Sequence, residues 1–133
     1  MPKVLFVCVG NSCRSQMAEG WARELSEGQV EAISAGTKPR GLDPRAIKVM
    51  EEVDVDISGQ QSTNITDVPT EDVDCVVTVC DRAREQCPAL PGEHEEIHRE
   101  FEDPPRLAFE AGEPDKALKY YRQVRDEIRE GNI

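Results

Sequence analysis

An apolar run near the start of the chain ends at a cysteine and leads through a glycine-bearing loop into an amphipathic pattern. Residues 3–9 read KVLFVCV, which is typical of a strand covered on both faces, as in a parallel sheet. Gly10 interrupts the run, and Met17, Trp21 and Leu25 then recur at helical spacing. A buried strand that passes through a short loop into a helix is the repeating unit of α/β folds. The chain is therefore expected to be an α/β protein.

The rest of the chain continues the alternation of strands and helices. The predicted elements are a strand at 30–36, a helix that opens with Asp43 as N-cap and Pro44, a strand at 73–80, a short strand at 95–101 and a helix from about Asp115. The segments 59–70 and 102–106 are predicted as a loop and a break. This order predicts a three-layer sandwich, in which helices flank a central four-stranded parallel sheet. With 133 residues, the chain is expected to form a single domain, 1–133.

Charge and cysteine usage limit the partners. A formal net charge of -11 argues against nucleic acid, which requires a broad basic surface. The N-terminal apolar run is too short for a signal peptide, and no segment is long enough to span a membrane. Five cysteines are an odd number, which does not suit a disulfide framework. We expect a cytoplasmic monomer with no nucleic-acid or membrane partner.

The loop after the first strand has the chemistry of an anion site. It lies where ligands bind in open α/β sheets, and it leads into a helix N-terminus whose free amides favour an anion. Arg14 can hold two oxygens, and the helix dipole, Arg14 and the Ser15 hydroxyl would lower the pKa of Cys8 and make it a nucleophile. The alternative is that Cys8 is a small buried core residue. The predicted oxyanion-binding residues are Val9, Gly10, Asn11, Ser12, Cys13 and Arg14.

The remaining cysteines suggest different uses. Six residues separate Cys80 from Cys87 in a segment that the sequence predicts to be an exposed loop. Together with a reactive Cys8, these two thiols could pass a disulfide from one thiol to the next. That chemistry favours reduction of the bound oxyanion, although two unrelated thiols would give the same spacing. Cys13 is interpreted as space-filling, and Cys75 as a core residue within its strand.

HEEIH at residues 94–98 fits the zinc-binding pattern H-E-x-x-H. That pattern requires a helix and a third ligand, whereas the segment is short and lies between proline-containing turns. A structural zinc site that combines the two histidines with Cys80 and Cys87 needs an unusually wide cysteine spacing. The simpler interpretation is that His94 and His98 face solvent.

Four stretches together resemble the thioredoxin-coupled arsenate reductases: VCVGNSCRSQMAEGW, ISAGTKPRGLDPRAIKVMEEVDVDIS, DCVVTVCDRAREQCP and FEDPP. The resemblance implies the fold of the low-molecular-weight protein tyrosine phosphatases. It implies that Cys8 attacks arsenate while Asp103 protonates the departing oxygen. It also implies that Cys80 then attacks Cys8, that a disulfide passes to Cys80 and Cys87, and that thioredoxin reduces this disulfide.

A phosphatase is the alternative function, since a Cys-x5-Arg-Ser loop with an Asp-Pro acid also suits hydrolysis of phosphate monoesters. The phosphatases typically have proline after the loop serine, where this chain has Gln16. They also have PY after the acid, where PPR stands here, and they do not need Cys80 and Cys87. Arsenate is thus the expected substrate, with phosphate or sulfate as analogues. Glu102 is a second candidate for the acid.

No tightly bound cofactor is expected, apart from a potassium ion that some members of the resembled family bind near the loop. Asn11, Glu19 and Ser34 match three of its ligands. Gln61 and Thr63 stand where the family usually has threonine and aspartate. Loss of that carboxylate weakens the prediction of the ion.

Overall fold

The structure is a computed structural model that describes residues 2–68, 73–79 and 95–131. In these residues it contains four strands and four α-helices. They are β1 (Lys3–Cys8), α1 (Arg14–Leu25), β2 (Glu31–Gly36), α2 (Pro44–Glu51), β3 (Cys75–Thr78), β4 (Glu95–His98), α3 (Pro104–Glu110) and α4 (Ala117–Gly131). Short 3-10 helices occupy Ile65–Asp67 and Pro114–Lys116.

The four strands form one parallel sheet in the order β2-β1-β3-β4. In the register of this sheet, Cys8 lies opposite Gly36, and Thr78 lies opposite both Val7 and His98. Parallel strands bring all their carboxyl ends to one edge of the sheet. The predicted four-stranded parallel sheet with flanking helices is confirmed, and Cys8 lies at the edge where ligands bind in such folds.

The core explains why these elements form. Leu5 and Val7 of the central strand β1 have no solvent exposure, as its continuous apolar pattern predicted. α1 packs against β1 and β2 through its apolar stripe, and Trp21 donates from Nε1 to the carbonyl oxygen of Arg125 in α4 at 3.0 Å. This contact joins the first and last helices. No helix in the described ranges is long and apolar enough to cross a membrane.

One helix differs from the prediction. α3 begins at Pro104, where the sequence DPP was expected to break the chain. Proline is tolerated in the first turn of a helix because the amide hydrogen it lacks has no intrahelical acceptor there. Asp103 stands as the N-cap of α3, just as Asp43 stands before Pro44 at α2. The two proline-led helices therefore start with the same local signal.

Smaller differences concern burial and strand length. β3 begins at Cys75 and ends at Thr78, so it is shorter than the predicted strand. Cys75 is half-buried rather than enclosed, although it packs against the core. Burial, and next Glu95 and Asp74, raise the pKa of its thiol. Cys75 is therefore held as a neutral thiol away from the loop of β1.

Candidate active site

A cleft of about 480 Å³ opens at the carboxyl edge of the sheet, directly over the end of β1. Cys8 lies on its wall and is 4% exposed. The loop that follows and the start of α3 form the facing walls. The predicted site residues that line this cleft are Cys8, Val9, Gly10, Ser12, Cys13, Arg14 and Asp103.

Residues 9–13 form the loop between β1 and α1. Their carbonyl oxygens point outward, because neighbouring segments supply a hydrogen-bond donor for each of them. Backbone amides of the segment 38–43 serve three of them: Lys38 donates to Val9 at 2.8 Å, Arg40 to Gly10 at 2.9 Å and Asp43 to Ser12 at 3.0 Å. This segment runs along the loop and holds its outer side.

The two remaining carbonyls have donors from α1. Gln16 donates from Nε2 to the carbonyl oxygen of Asn11 at 3.0 Å, and the amide of Met17 donates to Cys13 at 2.9 Å. Because a trans peptide is planar, each amide hydrogen points opposite to the preceding carbonyl oxygen. Outward carbonyls at residues 9–13 thus turn the amides of residues 10–14 toward the interior of the loop. Such a cradle of amides suits an oxyanion.

Asn11 gives the loop its curl. Its φ of 42° is left-handed, a conformation that asparagine tolerates better than most residues. The side chain has no solvent exposure, and its Oδ1 accepts hydrogen bonds from the Ser15 hydroxyl at 2.8 Å and from Gln16 Nε2 at 3.1 Å. The side chain of Asn11 therefore supports the loop from within the protein, so any contact of Asn11 with an anion would come from its backbone amide.

Gly36 is a site residue that the sequence analysis missed. A Cβ on this glycine would lie 2.6 Å from the carbonyl oxygen of Val9 and 2.9 Å from the amide nitrogen of Asn11. Both atoms belong to the backbone, so they cannot swing aside. The loop rests on the bare end of β2, and a glycine is required there.

Arg14 and Ser15 follow the loop at the start of α1. Arg14 lines the cleft, and its Nη1 donates to the carbonyl oxygen of Phe101 at 3.0 Å, which fixes the guanidinium beside the loop. Ser15 has no solvent exposure and donates its hydroxyl hydrogen to Asn11. Its predicted role of steadying the Cys8 sulfur would require that hydrogen to turn, and it stays a prediction.

Asp103 and Asp43 have the same sequence context but different surroundings. Asp43 accepts a hydrogen bond at Oδ1 from the amide of Arg45 at 2.9 Å, as an N-cap usually does. Asp103 accepts none from the first turn of α3. Its carboxyl group instead lines the cleft that contains Cys8. Glu102, the other candidate acid, also lines the cleft and is exposed.

A tyrosine of α4 contacts Asp43, one of the residues that line the cleft. Tyr121 is 1% exposed, and its hydroxyl donates to Oδ2 of Asp43. Burial, and then this bond, raise the pKa of Tyr121, so the phenol stays neutral. Burial, and then Asp43, also raise the pKa of Cys13 well above its usual range. This agrees with the interpretation of Cys13 as a space-filling thiol.

The residues predicted to hold potassium already have hydrogen-bond partners within the protein. Ser34 donates its hydroxyl hydrogen to Oε1 of Glu19 at 2.9 Å, and burial raises the pKa of this carboxyl. Asn11 Oδ1 already accepts two hydrogen bonds, and Asn11 Nδ2 is a buried donor without a partner in the described structure. An amide nitrogen is a donor and does not coordinate a cation, so only Oδ1 of Asn11 could serve as a ligand. Potassium binding stays a prediction, and no step is assigned to the ion.

The relay cysteines and part of the zinc motif lie outside the described residues. These are Cys80, Cys87 and His94. His98 is in strand β4, which does not suit the helix that H-E-x-x-H requires. It is half-buried, and its Nδ1 lies 2.7 Å from the Thr78 hydroxyl. Among the residues that the structure describes, no group of three or more His, Cys, Asp or Glu side chains could hold a metal ion.

An amide cradle over a thiol at a strand end can hold a tetrahedral oxyanion against the sulfur. The neighbouring arginine would balance the charge of that anion, and a carboxyl group lies within the same cleft. The fold and the site together have the features of one class: α/β proteins that can hold an oxyanion over a cysteine.

Comparisons with known proteins narrow this class. Residues 3–132 match the family Low molecular weight phosphotyrosine protein phosphatase. Arsenate reductase 1 of Staphylococcus saprophyticus is 44% identical over 126 residues, which is 95% of this chain and 89% of the relative. The chain belongs to the low molecular weight phosphotyrosine protein phosphatase family, and its relatives include arsenate reductases.

Two solved structures contain the fold of this chain. An arsenate reductase in the phosphate binding state superposes with a TM-score of 0.74 at 39% identity, covering 98% of this chain and 93% of that chain. The Corynebacterium glutamicum thioredoxin-dependent arsenate reductase superposes with a TM-score of 0.68 at 29% identity, covering 98% of this chain and 59% of that chain.

Proposed function

We propose that this protein reduces arsenate to arsenite with electrons that thioredoxin supplies through a relay of three cysteines. The observation that carries the proposal is the loop of residues 9–13, whose outward carbonyls leave an amide cradle at the end of β1 beside Cys8. The identity to arsenate reductases over nearly the whole chain supports arsenate as the oxyanion.

The first step is binding and attack. Arsenate enters the cleft, where the amides of residues 10–14 and the guanidinium of Arg14 hold its oxygens. The Cys8 thiolate attacks arsenic, and a sulfur–arsenic bond forms as an arsenic–oxygen bond breaks. Asp103, which lines the same cleft, donates a proton so that the oxygen departs as water. Arsenic is still As(V) after this step.

The second step transfers electrons. The Cys80 thiolate attacks the sulfur of Cys8, a disulfide forms between them, and the sulfur–arsenic bond breaks. Its electron pair stays with arsenic, which leaves as As(III) in arsenite. Two thiols have then been oxidised and one arsenic atom reduced, so the electrons balance.

The third step restores Cys8. Cys87 attacks Cys80, which releases the Cys8 thiolate and leaves a disulfide between Cys80 and Cys87. A thioredoxin dithiol reduces this disulfide and is itself oxidised. The thioredoxin-dependent relative from Corynebacterium glutamicum supports thioredoxin as the reductant class.

The test is a coupled assay in which thioredoxin reductase oxidises NADPH as arsenate is consumed. Cys8→Ser, Cys80→Ser and Cys87→Ser are each expected to abolish turnover. Cys75→Ser is the matched control, since this half-buried thiol lies on β3 outside the cleft, and it is expected to retain activity. Full turnover by Cys87→Ser would refute the relay, and full turnover by Cys8→Ser would refute the proposed nucleophile.

Hydrolysis of phosphate monoesters is the second candidate function. The family match and the joint placement of Cys8, Arg14 and Asp103 in one cleft favour it, since phosphoryl transfer through cysteine uses the same groups. Hydrolysis of p-nitrophenyl phosphate and reduction of arsenate are to be measured on one preparation. We expect arsenate reduction to be faster by orders of magnitude, and the reverse ratio would select the phosphatase.

A further inference from the structure

We infer that Arg40 is a second cation of the oxyanion site, which binds the solvent-facing oxygens of the anion at the mouth of the cleft. This inference rests on the proposed function, because it concerns the same anion. Arg40 lies in the turn between β2 and α2. None of the residues proposed above to act on the anion comes from this turn.

The position of Arg40 is fixed by the loop itself. Its backbone amide donates to the carbonyl oxygen of Gly10 at 2.9 Å. A Cβ on Gly10 would lie 3.3 Å from Cδ and 3.7 Å from Nε of Arg40, so the side chain passes directly over the loop. The guanidinium end is thereby directed along a wall of the cleft that also contains Cys8.

The turn that carries Arg40 is anchored on its other side as well. The amide of Gly41 donates to the Ser62 hydroxyl at 3.1 Å, and that hydroxyl lies 3.4 Å from the carbonyl oxygen of Gly10. Gly41 has a φ of 89°, which a glycine adopts without strain. A cation on an anchored turn loses less freedom on binding than one on a loose loop.

The charges of the cleft make such a cation useful. Among the described residues, four carboxyl groups line it and would repel an incoming arsenate or phosphate. They belong to Asp43, Glu100, Glu102 and Asp103. Three arginines from the same described residues oppose them, and two have other contacts: Arg14 donates to Phe101, and Arg106 pairs with Glu110 at 2.9 Å. Arg40 is exposed and makes no side-chain hydrogen bond or ion pair in the described part of the chain, so its charge is available to the anion.

The experiment measures inorganic phosphate binding by calorimetry under reducing conditions. The variants are Arg40→Gln, Arg40→Lys and Arg106→Gln. Arg106→Gln is the matched control, because it removes the same charge from the same cleft but from a guanidinium already paired with Glu110. Thermal unfolding checks that every variant folds.

We expect Arg40→Gln to weaken phosphate binding about twofold to fivefold, the range for one exposed ion pair, and Arg106→Gln to change it less than about 1.5-fold. Arg40→Lys should recover part of the loss, since it keeps the charge without the planar fork. The difference should shrink in high salt. In arsenate turnover, Arg40→Gln should raise KM and leave kcat nearly unchanged.

Two outcomes overturn the inference and leave the proposed function standing. They are equal phosphate binding by the wild type and Arg40→Gln, and equal weakening by Arg40→Gln and Arg106→Gln. A wild-type protein that binds no phosphate overturns the proposed function together with this inference.

Discussion

Replacing Gly36 with alanine tests whether the end of β2 positions the anion loop. The added methyl group would lie 2.6 Å from the carbonyl oxygen of Val9, where ordinary contacts start near 3.4 Å. The loop must therefore rise by roughly 0.8 Å, or the strand must bend. Displacement of about 1 Å in a site that depends on geometry costs on the order of 100-fold in rate. We expect Gly36→Ala to weaken phosphate binding at least about tenfold and to lower kcat for arsenate by about 100-fold.

Two other glycines provide controls for this prediction. Gly20→Ala places a Cβ 2.6 Å from Cγ2 of Ile57 in the core, away from the loop. Overpacking costs about 1–3 kcal/mol, and the gain in helix propensity offsets about 1 kcal/mol of it. Gly59→Ala meets no atom within 4 Å and is expected to change stability by less than about 1 kcal/mol.

The assay combines thermal unfolding with calorimetric phosphate binding for all three variants. Gly36→Ala should lose phosphate affinity out of proportion to its stability. Gly20→Ala should lose stability and keep its affinity within about twofold, because its clash is confined to the core. Phosphate affinity at the wild-type level in Gly36→Ala would refute the conclusion that Gly36 sets the height of the loop.

Three further predictions concern other residues. Asp103→Asn should lower kcat for arsenate by about 10²–10⁴-fold because general acid catalysis is lost. Glu102→Gln should leave kcat unchanged. The reverse pattern in steady-state kinetics would identify Glu102 as the general acid. Tyr121→Phe, which removes the hydrogen bond to the N-cap of α2, should lower the free energy of unfolding by about 1–2 kcal/mol in urea, and no change would mean that the bond adds nothing. Hydrogen bonds from Arg122 lower the pKa of Glu52 to about 2, so its stabilising effect is complete above about pH 4.5 and is lost as the pH falls toward 2. Glu52→Gln should flatten the pH dependence of stability in that window, and an unchanged acid profile would contradict this.

The sheet could be predicted from the sequence because the patterns that identify its strands are local. The apolar run of β1 and the glycine after it predicted a buried strand and a loop at its end, and both are present. The sequence does not predict α3, because the two prolines after Asp103 are also typical of a chain break, whereas the single proline after Asp43 predicts a helix start. In the structure, Asp followed by Pro begins a helix at both places.

The geometry of the loop was beyond sequence reasoning because its causes are distant along the chain. The donors that turn its carbonyls outward include residues 38–43, about 30 positions away. Gly36 and Arg40 both lie close to the loop. They belong to the stretch ISAGTKPRG that shares in the family resemblance, but nothing in that stretch indicates contact with the loop. The sequence feature that could have indicated the role of Gly36 is a glycine at the end of the strand that follows the first helix. The roles of Cys80 and Cys87 stay predictions.

The central claim is that a thiolate at Cys8 takes up the oxyanion and passes its oxidation to two partner thiols. Disulfide mapping by mass spectrometry of the reduced protein, before and after one equivalent of arsenate without thioredoxin, tests it most directly. We expect one new disulfide between Cys80 and Cys87, with Cys8 again reduced, and a disulfide between Cys8 and Cys80 when Cys87→Ser is used. Cysteines 8, 80 and 87 that all remain reduced while arsenate is present would contradict it.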